Sequence, residues 1–339
     1  MAEFDEARLD DPAALAAADE RLRELAESGA RVRREAGEAG EAILRAVAER
    51  GGERPRAVIA AGPDSRLLRA VLEPWCPVPF VAWPAPGLPG WAGSLDLVVM
   101  LAPQGSDPAA ASAVAEAVRR GCQVVVACRP GSMVAEHAEG RWSTLLPTTT
   151  GDQLATAVVM LDFLHRVGLG PACAADEVAA SLDEVAVASS PHTDLAGNPA
   201  KELAIALAEA LPLVWGGSTL AARAARRLAE QFRRSSGRSA LAGDAEHLLP
   251  VIEATRPRNL FDDPVDGSDL RPLLLVLDDG ADDPVVREQR GRLQTAAARS
   301  GVRVETLASD AVSEVARYAS LLLAGTYAAE YLAVGLAGE

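Results

Sequence analysis

The chain has 339 residues, enough for two domains with cores of their own, and its 49% apolar content excludes a disordered polypeptide. A net charge of −15 and a pI near 4.8 exclude the broad positive surface that nucleic acid or an anionic membrane requires, so neither is an expected partner. An anionic substrate would need a local basic pocket, for which the Arg residues between 223 and 234 are the best candidates.

Met1-Ala2-Glu3-Phe4-Asp5-Glu6 is acidic and lacks the basic start of a signal peptide. Residues 10–52 read as helical: Asp10 or Asp11 can cap, Pro12 suits a first turn, and a break near Gly29 suggests two helices. They are expected to lie against the first sheet or against a partner chain. Arg56 to Ala61 reads as a buried strand, and Gly62-Pro63-Asp64-Ser65 as its turn into a helix. Val78 to Val81 is a second strand, followed by a Pro/Gly loop from Pro84 to Gly93. Leu95 to Leu101 is a third strand, ending in Ala102-Pro103-Gln104-Gly105-Ser106-Asp107 before a helix from Pro108 to Arg120. Gln123 to Cys128 is a fourth strand with the loop Arg129-Pro130-Gly131-Ser132. Thr144 to Leu146 is a fifth, and a long helix runs from Asp152 to about Val167. Strands alternating with helices through short loops predict a parallel, doubly wound α/β sheet.

Residues 171–210 are Ala-rich and helical, broken at Ser189-Ser190-Pro191-His192 and Gly197-Asn198-Pro199; His192 is assigned no function. The second half then repeats the first. Leu213 to Ser218 parallels Val58 to Ser65, and Leu273 to Gly280 parallels Leu97 to Gly105. The helix from Pro284 and the run Gly301 to Val304 parallel the helix to Arg120 and Gly121 to Val124. A last helix, Asp310 to about Val334, parallels the one from Asp152. The expected division is 1–52 as N-terminal helices, 53–170 as a first sheet domain, 171–210 as a helical connector and 211–339 as a second sheet domain.

The stretch from Leu211 to His247 carries the chemistry. Leu213-Val214-Trp215 ends at Gly216-Gly217-Ser218-Thr219, and Leu220, Ala224, Leu228 and Phe232 then recur every four residues. Strand, Gly-rich turn and helix place backbone N–H groups where ligands bind in parallel sheets, a setting suited to an anion. Glu230 lies on the helix face away from the apolar stripe, and His247 follows after a short apolar run. A carboxylate and an imidazole beside an anion pocket have the chemistry to move protons on a phosphosugar. A solvated face, with Glu230 paired to Arg226 and Arg234 and flanked by Arg223, Arg227 and Arg233, explains the same residues.

Cys76, Cys122, Cys128 and Cys173 have neither CxxC nor zinc-finger spacing, so small buried hydrophobes and a reducing cytoplasm are expected. The uncharged stretch Tyr318 to Ala329, bounded by Arg317 and Glu330, is shorter than the roughly 20 residues that span a bilayer. Lys occurs once, at Lys201, which is read as compositional bias towards Arg.

With two such α/β units the chain resembles the sugar isomerase (SIS) domain superfamily, and within it the bifunctional phosphoglucose/phosphomannose isomerase type. Leu228-Ala229-Glu230-Gln231 is similar to that family's Leu-Asn-Glu-Asn segment, and Ala245-Glu246-His247 falls near its Glu-Leu-Asn-His-Asn-Glu segment. Ala311 to Leu321 looks like its closing helix. The resemblance implies two tandem SIS-type doubly wound parallel-sheet domains, with an N-terminal helical segment and a long C-terminal helix. It implies Glu230 as catalytic base and His247 as the group that opens the sugar ring. It further implies a site formed between the subunits of a homodimer, a phosphorylated sugar as ligand, and no metal or organic cofactor. Gly62, Ser65, Gly105, Ser106, Arg129, Gly216, Gly217 and Ser218 are the expected substrate-binding positions.

The chain departs from the family at its phosphate cradle. Ala102-Pro103-Gln104-Gly105-Ser106-Asp107 stands where the family has Ser-Tyr-Ser-Gly-Asn-Thr. Asp107 brings a negative charge, and Pro103 and Pro108 lack N–H donors. Two readings follow. One is an aldose–ketose isomerase of glucose, mannose and fructose 6-phosphates with an altered cradle. The other is an inactive SIS protein that binds a carbohydrate derivative or regulates a partner. A structural interaction protein using the 10–52 helices is a third.

Overall fold

The computed structural model describes residues 3–50, 52, 54–256 and 270–337. The segment Asn259 to Pro264, left unassigned on sequence, lies outside them. In chain order the elements are α1 (Pro12–Ala17), α2 (Asp19–Ala26), α3 (Ser28–Glu49), β1 (Val58–Ala61), α4 (Ser65–Leu72), β2 (Phe80–Trp83), β3 (Leu97–Ala102), α5 (Pro108–Arg119), β4 (Gln123–Cys128), α6 (Met133–His137), β5 (Ser143–Pro147), α7 (Gln153–Arg166) and α8 (Ala175–Ala188). They continue with α9 (Pro199–Leu207), β6 (Ala210–Gly216), α10 (Thr219–Ser236), β7 (Leu241–Ala242), α11 (Ala245–Glu253), β8 (Arg271–Asp278), α12 (Pro284–Ser300), β9 (Arg303–Ala308) and α13 (Glu314–Leu336). The chain falls into two compact units: a first of Ser28–Ala179, and a second of Met1–Glu27 with Ala180–Glu339.

The first unit holds a parallel sheet in the order β2-β1-β3-β4-β5. β1 and β3 are buried along their whole length, as continuous apolar runs must be when helices cover both faces. Asp107 caps α5 and Asp152 caps α7, each by accepting from a backbone N–H of the first turn. β2 starts two residues later than the sequence suggested, and Trp83 closes that strand rather than opening the loop. Pro79 explains the shift: it lacks the N–H a ladder needs. α3 packs on α7 and β5 of its own unit.

The second unit repeats the plan with one strand fewer, in the order β7-β6-β8-β9, all parallel. α10 buries the expected face, Leu220, Ala221, Ala224, Ala225, Leu228, Ala229 and Phe232, and packs it on α13. The N-terminal helices number three rather than two, with the break at Glu27, and they part company there. The segment before it closes on α13 of the second unit: Asp5 N donates to Gly335 O at 2.9 Å, Arg8 Nε to Val334 O at 2.9 Å and Arg21 Nε to Glu330 Oε2 at 2.7 Å. Lys201 is fully buried, its ammonium donating to Asp10 Oδ1 at 2.6 Å and to the carbonyls of Thr193 and Pro191 at 2.9 and 3.3 Å. The sole lysine is therefore a structural residue that ties the N-terminal segment to α9.

α13 spans 23 residues, beyond the uncharged run inside it, and by length and composition alone it could cross a membrane; 72% of its apolar stretch is buried, as in a core helix. On it the rings of Tyr327 and Tyr331 stack with centroids 6.3 Å apart. Tyr331 donates to Ser189 O at 2.7 Å, whereas the Tyr327 hydroxyl has no protein partner among the described residues. Burial pushes the Tyr327 phenol up to about 12. Tyr327→Phe is expected to be neutral or to stabilise the second unit, and Tyr331→Phe to cost about 1 kcal/mol. Urea midpoints that fall equally in both variants would refute this asymmetry.

Candidate active site

Both parallel sheets present their carboxyl ends as a ring of strand-to-helix turns, the usual place for a ligand in such sheets. In the first unit the turn after β1 contains Gly62, whose φ of +87° only glycine adopts freely. Ser65 follows at the start of α4, 1% exposed, with its hydroxyl unpartnered. Gln153 at the start of α7 donates to Asp64 in this turn. In the turn after β3, a side chain at Gly105 would run into Ser132, and Val134 N donates to Gly105 O at 3.0 Å. This turn is thereby packed down on the turn after β4. Gln104 Nε2 lies 3.5 Å from Gly151 O, Ser106 is exposed, and Asp107 Oδ1 accepts from Ala109 N at 3.0 Å. Arg129 is exposed, and its guanidinium donates to Thr149 O at 3.0 Å.

The turn after β5 is held from behind. Glu35 of α3 is fully buried, and its carboxylate accepts from Thr149 N at 2.9 Å and from Thr150 N and Oγ1, both at 2.5 Å. One helical turn earlier, Arg31 Nε pairs with Asp152 Oδ2 at 2.8 Å. Sequence reading missed Glu35, because nothing in its spacing separates it from the other carboxylates of α3.

In the second unit Gly216 ends β6 beside the backbone of Ala221 and Ala222, and Gly217 lies under Val286 and Trp215. Ser218 caps α10, accepting from Ala221 N at 3.0 Å, and its hydroxyl donates to the carboxylate of Asp279. Asp278 is gripped at both oxygens by Arg290, at 2.7 and 2.8 Å. Burial pushes the Asp278 carboxyl up, but hydrogen bonds from Arg290 and Gly280, with the guanidinium charge, outweigh it and hold it below the ordinary carboxylate range. Asp283 Oδ1 caps α12, accepting from Val285 N at 2.7 Å. Arg317 donates to the carbonyls of Ala311 at 2.7 Å and Asp279 at 3.0 Å. The signal for Asp278 and Asp279 was their position at the end of an apolar strand; their partners become visible only in three dimensions.

Glu230 sits two-thirds of the way along α10, half-buried. Its carboxylate pairs with Arg227 at 3.0 Å and Arg234 at 2.6 Å, both on its own helix. His247 is exposed in the first turn of α11, where its N–H donates to Asp244 O at 2.9 Å. Among the described residues no hydrogen bond joins Glu230 to His247. Two recesses flank helices of the units, the first of them reaching Gly131 in the turn after β4. One, of about 320 Å³, lies against α6 and β5 in the first unit; the other, of about 610 Å³, lies between α11 and α12 in the second.

Residues 196–337 match the family described as the bacterial phospho-glucose isomerase C-terminal SIS domain. The match assigns residues 196–337 to an SIS domain. Solved structures share the fold over most of the chain. Tagatose-6-phosphate ketose/aldose isomerase from Escherichia coli superimposes with a TM-score of 0.67 at 13% identity, over 93% of this chain and 91% of its own. The C-terminal domain of glucosamine-fructose-6-phosphate aminotransferase from Francisella tularensis gives 0.58 at 12% identity, over 90% and 96%. A glucose-6-phosphate isomerase-like protein from Thermus thermophilus gives 0.51 at 19% identity, over 86% and 87%. No curated protein sequence matches the chain. The chain thus shares the fold of these solved proteins, and in both units carboxylates of its own cap helix starts at the carboxyl ends of the strands.

Proposed function

We propose that this phosphosugar-isomerase-type SIS protein has given up the aldose–ketose reaction and works as a carbohydrate-derivative-binding or regulatory partner. The observation that carries the reading is the set of carboxylates at the turns: Asp107 at the start of α5, Asp283 at the start of α12, and Asp279 on the hydroxyl of Ser218. A sugar phosphate brings up to two negative charges to the place where these oxygens already accept the free N–H and O–H groups. Two unit charges about 4 Å apart repel by roughly 4 kcal/mol at an effective dielectric of about 20. A phosphate there would meet repulsion and find Ala109 N, Val285 N and the Ser218 hydroxyl already bonded. The net charge of −15 speaks against nucleic acid or an anionic membrane as the partner, and a cytoplasmic setting fits four free cysteines.

A second reading is favoured by the family match over residues 196–337, which takes in both Glu230 and His247. Glu230 would remove the proton beside the sugar carbonyl, giving an enediol, and return it to the neighbouring carbon. His247 of the other subunit in a homodimer would open the ring. Gly62, Ser65, Gly105, Ser106, Arg129, Gly216, Gly217 and Ser218 would then hold the phosphosugar. The test is a coupled assay with fructose 6-phosphate that follows both glucose 6-phosphate and mannose 6-phosphate, with thermal-shift binding of all three in parallel. No turnover is expected. Turnover that disappears in Glu230→Gln would overturn the first reading and establish the second.

A further inference from the structure

The first unit carries an exposed aromatic surface at the amino ends of its strands, opposite the ring of turns. Three segments meet there. Trp91 and Leu95 stand on the loop that enters β3, Arg119 closes α5, and Arg141 and Trp142 precede β5. Contacts from α5 join the two loops. Arg120 donates to Pro89 O at 2.7 Å on one side, and on the other a Cβ at Gly140 would meet Val118 at 3.0 Å. Arg119 lies between those two contacts. Trp91, Trp142 and Leu95 are 48%, 58% and 65% exposed, so two of the five tryptophans face solvent here.

This surface is held in shape from behind. Asp96 is fully buried and accepts from Arg56 Nε and Nη2 at 2.9 and 2.6 Å and from Gly93 N at 2.9 Å. Arg56 Nη2 also donates to Trp91 O at 3.0 Å, and the same guanidinium lies over the Trp91 ring at 5.8 Å. Arg141 lies over the Trp142 ring at 4.8 Å. Rings fixed before a partner arrives lower the ordering cost of binding. The free charge here runs against that of the whole chain. Asp96 and Glu116 are taken by Arg56 and Arg120, while Arg119 and Arg141 are exposed and have no carboxylate partner among the described residues. Glu139, the exposed carboxylate next along the chain, lines the recess against α6. On a chain of net charge −15, two unpaired guanidinium groups thus border exposed apolar rings.

We propose that this surface docks a protein partner whose contact segment sets carboxylates beside apolar side chains. Its carboxylates meet Arg119 and Arg141, and its apolar side chains cover Trp91, Leu95 and Trp142. Tryptophan and arginine at the centre of a pre-formed patch are the residues that carry most binding energy in protein interfaces. Arg56 and Arg141 each take one face of a ring, a face that a stacked base or sugar would otherwise use. The surface lies at the far end of the sheet from the ring of turns, so the inference stands whichever way the phosphosugar assay falls.

Tryptophan fluorescence of the full chain tests this, in a Trp75→Phe background that removes an exposed ring elsewhere in the unit. At low salt, iodide is expected to quench more than caesium, although the chain as a whole repels anions. Arg119→Glu with Arg141→Glu should reverse that order. The binding probe is a synthetic amphipathic helix with glutamates on one face and leucines on the other. It should bind saturably, and about tenfold more tightly than the same peptide with lysine for glutamate. Trp142→Ala, and separately the two arginine substitutions, should each weaken it about tenfold with unchanged circular dichroism. The arginine pair, at exposed positions, keeps the proposal open to refutation should Trp142→Ala disturb the fold. Stronger quenching by caesium in the starting chain, no saturable binding of the acidic peptide, equal binding of its lysine counterpart, or binding indifferent to the substitutions overturns the proposal. So does an oligothymidylate that binds and loses affinity in the same variants, which would make the surface a nucleic-acid site.

Discussion

Glu35→Ala is expected to lower the stability of the first unit by about 3 kcal/mol and to release the turn after β5. The carboxylate lies at 0% exposure and accepts from both Thr149 N and Thr150 N as well as from the Thr150 hydroxyl. Alanine would leave two N–H groups without an acceptor, at about 1–3 kcal/mol each, and a small void besides. Glu35→Gln keeps one acceptor oxygen but turns an NH2 group on the threonine donors, so it should recover less than half of the loss. The functional consequence follows from the position of the turn. Residues 149–152 reach Arg129 through Thr149 O and Gln104 through Gly151 O. Freeing them would loosen a guanidinium that faces solvent at that ring of turns. Urea unfolding measures the first effect, and amide exchange at Thr149 and Thr150 the second. An unchanged midpoint with slow exchange at both amides would remove Glu35 from this role.

Much of the fold was legible because two patterns dominate it. The apolar runs of β1, β3 and β4 could only be strands buried on both faces. The four-residue recurrence from Leu220 to Phe232 placed the buried face of α10 residue by residue. The duplication was legible for the same reason, but its incompleteness was not: nothing in Arg303 to Ser313 announces that a fifth strand will not follow. Lys201 shows the limit more sharply. Its rarity read as compositional bias, yet Asp10, Pro191 and Thr193 surround its ammonium. The charged partner, Asp10, lies 191 residues away and leaves no local trace. At the turns, the sequence displayed Asp107 as a change of charge, whereas the bond from Ser218 to Asp279 needed the fold to bring β6 and β8 side by side.

Gly216→Ala is expected to cost the second unit about 3 kcal/mol or more. A Cβ at Gly216 would penetrate the backbone of Ala221 and Ala222, and its nearest neighbours are main-chain atoms of α10 that no rotamer change can move aside. Overpacking typically costs about 1–3 kcal/mol, and more where the backbone itself must shift. Here the shift would separate β6 from the helix whose apolar face holds α13. Gly217→Ala is the comparison. Its added carbon would meet the Val286 and Trp215 side chains rather than main-chain atoms, so a smaller cost of about 1–2 kcal/mol is expected. Trp215, buried between the two glycines' neighbours, reports unfolding of this unit by fluorescence. Equal midpoints for the two variants would show that the α10 junction is softer than its geometry implies. The contrast also bears on function. A Gly-Gly-Ser turn after a parallel strand reads as an anion cradle, but Gly216 has a packing reason to be glycine whether or not an anion binds. Ser218 likewise has two partners inside the protein, Ala221 N and Asp279. If Gly216→Ala unfolds the unit while ligand binding was absent to begin with, the motif persists here for the close approach of strand and helix.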